Sequence, residues 1–207
     1  MKSSSNPILG AISKSKMVLA IVLSISLLAT GCSAQWISIA LADLPVLTQM
    51  ALNIGTIVAT LQTGKQISSA DATAIQNISE QASKDLNLLE TFYNEYKANP
   101  SASALQKIQS VITDINQNLP ALLQAAHIGD PVLSARIAAA VNLILTTVAS
   151  FAALIPQTAV RPAAQRVAHP QTAIPKASDL KKQWNQQVCG PTSDSTFDFS
   201  AAGCAVR

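Results

Sequence analysis

Charge is scarcest in this chain where its apolar runs are longest. No Asp, Glu, Lys or Arg occurs in residues 17–42, and none occurs in residues 138–160. Histidine appears only at His127 and His169, and the aromatics are two Trp, two Tyr and four Phe. Each shortage removes a class of function. Neither histidine belongs to a helical His/Glu pair or a Cys/His zinc spacing, so no metal motif is expected. The seven glycines form no phosphate-cradling loop. Ser, His and Asp all occur, but no motif brings them together, and neither a catalytic site nor a cofactor is expected.

What the chain does have begins at its N-terminus. Lys2, Lys14 and Lys16 form a positive flank without acids, followed by an uncharged run at residues 17–29 (MVLAIVLSISLLA). At about 13 residues the run has the length of a signal-peptide core rather than a bilayer span. It ends in Ala29-Thr30-Gly31-Cys32. This tetrapeptide resembles the lipobox of bacterial lipoproteins, with Ala where Leu is commoner. The resemblance implies that residues 1–31 are removed and that Cys32 becomes an N-terminus bearing diacylglycerol and palmitate-type acyl chains. It also implies a lipid-anchored location in the cell envelope. Ser33 after the cysteine, instead of Asp, resembles lipoproteins sent to an outer membrane, facing the periplasm, in two-membrane bacteria. The alternative is an uncleaved anchor running on through Trp36 and Ile37. The lipobox is the better reading, because Gly31-Cys32 sits where the apolar core ends.

Removing residues 1–31 changes the electrostatics. The precursor has 14 basic and 11 acidic residues, and losing three lysines leaves 11 of each. A neutral chain with few aromatics lacks both the clustered cations and the stacking platforms of a nucleic-acid binder. Nucleic acid is therefore discarded as a partner. The cysteine count also becomes even. With Cys32 lipidated, Cys189 and Cys204 remain as a disulfide pair suited to an oxidising compartment.

Residues 32–156 read as four helices between short breakers, rich in Ala, Leu, Ile and Gln. The first runs from about Ala34 to Thr63, with Asp43 as its one charge and Pro45 either kinking it or starting a new helix. Asp43 is either a buried functional carboxylate or, as the better reading, a cap for the helix that begins near Pro45. Ser68 opens the second helix, whose apolar stripe is Ile75, Ile78, Ala82, Leu86, Leu89, Tyr93 and Tyr96. Glu80, Asp85, Glu90 and Glu95 are expected on a solvated face. Ser101 or Ser103 caps the third, Pro120 bends it and Gly129 closes it, with His127 near its end. Asp130-Pro131 starts the fourth, which Pro156 ends. Matched lengths and short loops predict an all-α, antiparallel up-down four-helix bundle. The competing arrangement is a membrane hairpin of the first and fourth helices, since residues 137–155 are long and apolar enough to span.

Pro162, Pro170 and Pro175 mark residues 157–177 as a proline-rich linker. Residues 178–207 are expected to form a short helix plus a disulfide loop, with Leu180, Trp184 and Val188 sharing one helix face. Trp184, Phe197 and Phe199 are candidate anchors for a partner; the alternative is that the helix folds back and covers a bundle edge. Together these features predict a lipid-anchored envelope module that binds or scaffolds another envelope protein. A membrane-active protein, pore-forming or lysis-related, is the second expectation. An enzyme would need a cleft joining His127 to Asp43 or another acid, and is not expected.

Overall fold

The computed structural model describes the backbone of residues 11–155, 175–190, 204 and 206, with side chains from Trp36 onward. Its order is α1 (Ala11–Thr63), α2 (Ser69–Ala98), α3 (Ala102–Ala125), α4 (Pro131–Leu154) and α5 (Ala177–Gln187). The part of α1 used below is Trp36–Thr63.

Three helix starts follow directly from local chemistry. The first backbone N–H groups of a helix have no partner within it, and a hydroxyl or carboxylate just before the helix supplies one. Ser68 Oγ accepts from the Asp71 N–H at 3.0 Å, Ser101 Oγ from the Ala104 N–H at 3.1 Å, and Asp130 Oδ1 from the Leu133 N–H at 2.8 Å. Pro131 occupies the first helical turn of α4, where its missing N–H is no loss. The end of α3 differs from expectation. The left-handed residue that turns the chain is His127, with φ 42°. Gly129 instead donates its N–H to Asp71 Oδ1 at 3.3 Å, tying this loop to the start of α2.

Short connections make neighbouring helices antiparallel, and α1, α2, α3 and α4 pack in a ring that closes α4 against α1. The all-α bundle is thus the observed architecture. Two contacts set its register. Trp36 and Tyr93 meet edge-on with centroids 5.5 Å apart, and Tyr93 meets Phe151 at 6.4 Å. These place the Trp36 turn of α1 beside the ends of α2 and α4. Higher up, Ser79 Oγ accepts the Gly55 N–H at 3.2 Å and donates to the Ala51 carbonyl at 2.7 Å. Gly55 and Ala51 are one helical turn apart, so the Ser79 hydroxyl sits between a donor and acceptor of α1's own ladder.

Two expectations about the helices are corrected. The α1 helix continues through Pro45, with Leu44 and Leu47 buried on either side, so Asp43 does not cap a new helix. Asp85 is not on a solvated face: it is buried and accepts two bonds of 2.9 Å from Gln81 Nε2. The expected stripe left it out because charge alone was taken to keep it outside. A partner four residues away on the same helix satisfies it instead.

Candidate functional site

The candidate site is the seam between α1 and α4, and the protein's own tail fills it. The α5 helix packs on both α1 and α4. Leu180, Trp184 and Val188, spaced four apart, form the buried face of α5 and join the core of the bundle. The expected sharing of one face by these residues is what the structure shows.

The ends of α5 are held by two ionisable side chains of the bundle. Lys176 stands at its N-cap position and contributes no side-chain bond. Asp43, reaching across from α1, accepts the N–H of Ala177, the first residue of α5. A carboxylate at that pole also faces the positive end of the helix dipole. At the other pole Arg136 of α4 donates from Nη1 to the Val188 carbonyl and from Nη2 to the Gly190 carbonyl, both at 2.6 Å. A guanidinium fork fits two orphan carbonyls at a helix C-terminus, where a cation is favoured. Asp43 is the only charged residue of Trp36–Thr63, and Arg136 the only one of α4. Asp43 is 4% exposed and Arg136 5%. Burial lowers the basicity of the Arg136 guanidinium. Burial raises Asp43 above the ordinary carboxylate range, against a smaller opposing effect of the Ala177 N–H. Asp43 Oδ2 is buried without a hydrogen-bond partner.

The disulfide completes the seat. Cys189 and Cys204 are bonded, with Cα atoms 5.7 Å apart. The bridge folds the chain back so that the Cys204 carbonyl accepts from Trp184 Nε1 at 2.8 Å and from Asn53 Nδ2 of α1 at 3.4 Å. Asn185 pairs with Val206 through its side-chain amide, accepting the Val206 N–H at 3.0 Å. Trp184 is completely buried, so the anchor role expected of it is corrected. Its indole pins the tail to the bundle rather than standing ready for a partner. Phe197 and Phe199 lie outside the described residues, as does the side chain of Cys32.

Asp43 and His127 do not meet. His127 lies at the α3–α4 connection, the end of the bundle where α1 finishes. Asp43 is 20 residues before that end of α1, roughly 30 Å along the axis. Among the described residues no three His, Cys, Asp or Glu side chains converge on a point that would hold a metal. Sequence reasoning missed Arg136 altogether. The available signal was its isolation: Trp36–Thr63 and Pro131–Leu154 carry one charge each. A lone charge on such a helix asks for a buried partner.

The chain matches no known protein family, no curated protein and no solved structure.

Proposed function

We propose that the protein is a lipid-anchored module of the cell envelope that works by binding another envelope component. The observation that carries this reading is the Cys189–Cys204 disulfide. It accounts for two of three cysteines in a chain whose third, Cys32, ends a lipobox-like sequence. Disulfides persist in oxidising compartments outside the cytoplasm, which agrees with export. In this reading the lipid holds the lower end of α1, near Trp36, and the charged outer faces of α2 and α3 are turned toward a protein partner. Affinity isolation of the full-length protein from detergent-solubilised envelopes should recover one reproducible partner. Recovery of the protein alone, under mild crosslinking, would count against the proposal.

A second reading is supported by a specific feature. Trp36–Thr63 and Pro131–Leu154 are long and apolar enough to cross a membrane, and they are neighbours in the bundle. A membrane-active protein would insert this pair. Dye release from liposomes at increasing protein-to-lipid ratio tests it, and an absence of release throughout would remove it.

A further inference from the structure

The two charges that clamp α5 are unequal. Arg136 has acceptors in good geometry for both terminal nitrogens. Asp43 has the Ala177 N–H, but its Oδ2 is buried without a partner. An ionised carboxylate in that position is taken out of water with incomplete compensation. Once protonated, the same group keeps a carbonyl oxygen for the Ala177 N–H and loses the cost of the buried charge. The cover over Asp43 includes α5 itself, whose departure would return the carboxyl toward water.

We propose that α5 is a proton-controlled latch on the α1–α4 seam, closed while Asp43 carries a proton and released as Asp43 ionises. The direction follows from linkage. The seated form holds the Asp43 proton more tightly than the open form, so the latch is firm at acidic pH. It loosens as pH rises through the raised pKa of the seated form. One proton is involved. The open-to-closed ratio therefore grows by up to about tenfold per pH unit between the two pKa values, and is flat beyond them.

Other ionisable groups on the packed elements are accounted for. Arg136, alone on α4, grips the far pole of α5 and stays cationic. On α5 and its N-cap are Lys176, Asp179, Lys181 and Lys182, and Asp179 is exposed. On α2, between the Ser79–Gly55 and Tyr93–Trp36 contacts that bracket Asp43's level, lie Glu80, Lys84, Asp85 and Glu90. Asp85 is already bonded to Gln81. Asp43 is the one acid among these that is both buried and bonded to α5.

The chain's two tryptophans make the latch measurable. Trp184 sits on the buried face of α5, while Trp36 sits in the aromatic cluster at the end of the bundle. Full-length protein carrying 5-fluorotryptophan, in detergent micelles with its disulfide intact, would be followed by fluorine NMR from about pH 4 to about pH 8. The Trp184 signal should pass from a buried to a solvent-exposed population as pH rises, and the Trp36 signal should not. Asp43→Asn should remove the pH dependence. Asp179→Asn and Glu90→Gln should leave its midpoint unchanged, and these two decide the matter if Asp43→Asn fails to fold. A Trp184 signal that stays buried throughout overturns the proposal. So does an unchanged profile in Asp43→Asn, or a profile lost in either of the other two variants.

Discussion

Single atoms decide how closely α1 and α2 approach. A Cβ built on Gly55 would stand 2.8 Å from Ser79 Oγ, closer than such atoms pack. The hydroxyl cannot simply rotate away, because it is bonded to both Gly55 N–H and the Ala51 carbonyl. Gly55→Ala should therefore destabilise the bundle by about 1–3 kcal/mol despite the helix-favouring change. Chemical denaturation of Gly55→Ala, Ser79→Ala and the double variant checks this. Ser79→Ala removes the obstructing oxygen, so the double variant should be more stable than the sum of the single effects implies. Strict additivity would mean that the two residues are not in contact. At the same scale, Tyr93 and Trp36 bury a hydroxyl and an indole N–H without partners. Burial holds the Tyr93 hydroxyl above its ordinary pKa, so it stays un-ionised at neutral pH. Their rings instead contribute apolar area and an edge-to-face contact between α1 and the end of α2.

An element joined to the bundle at two poles can be detached at either. Replacing Arg136 by Met keeps most of the stem but removes the donors to Val188 and Gly190. Hydrogen bonds to charged groups contribute roughly 1.5–3 kcal/mol each, which is large for a helix of 11 residues. Arg136→Met should free α5, shifting Trp184 emission to the red, while α1 to α4 keep their helicity. Unchanged emission would show that the apolar face of α5 suffices to hold it. Reducing the disulfide should act more gently. Its 15-residue separation corresponds to about 3 kcal/mol of unfolded-chain entropy, and the Cys204 carbonyl would lose its enforced position beside Trp184 and Asn53. The contrast with the other helices explains what could be read from the sequence. Ser68, Ser101 and Asp130 cap their own helices, and the stripe from Ile75 to Tyr93 repeats within one helix, so local spacing exposed them. Asp43 caps a helix more than a hundred residues away, and Arg136 closes that helix from another element. Neither relation leaves a periodic trace. His127 takes the left-handed turn expected of Gly129, whose N–H instead donates to Asp71 on another helix, a non-local contact.

Across the whole molecule the charges are divided unevenly. Apart from buried Asp85, α2 and α3 carry them on their outer faces, with Lys107 and Glu95 bridging the two helices at 2.7 Å. That exposed pair adds little by itself, but the pair marks the water-facing side. The outer faces of α1 and α4 are uncharged, yet they are not oily. Thr56, Thr60, Asn142 and Thr146 are exposed there, and hydroxyls of all three threonines bond back to their own helices. Leu52, at 49% exposed, and Ile39 are the large apolar exceptions on α1. The apolar residues that make these two helices resemble bilayer spans are mostly turned inward, on α2, α3, α5 and each other. A helix whose hydropathy is accounted for by burial in protein has little left to offer lipid. A chain starting at Ser33, made with its disulfide but without lipid, should therefore stay in the aqueous phase, strongly helical, when mixed with liposomes and sedimented. Sedimentation with the vesicles would mean that α1 and α4 exchange their protein contacts for the bilayer. Loss of Trp184 burial in the same sample would then identify the α5 seat as the contact given up first, joining the membrane-active reading to release of the latch.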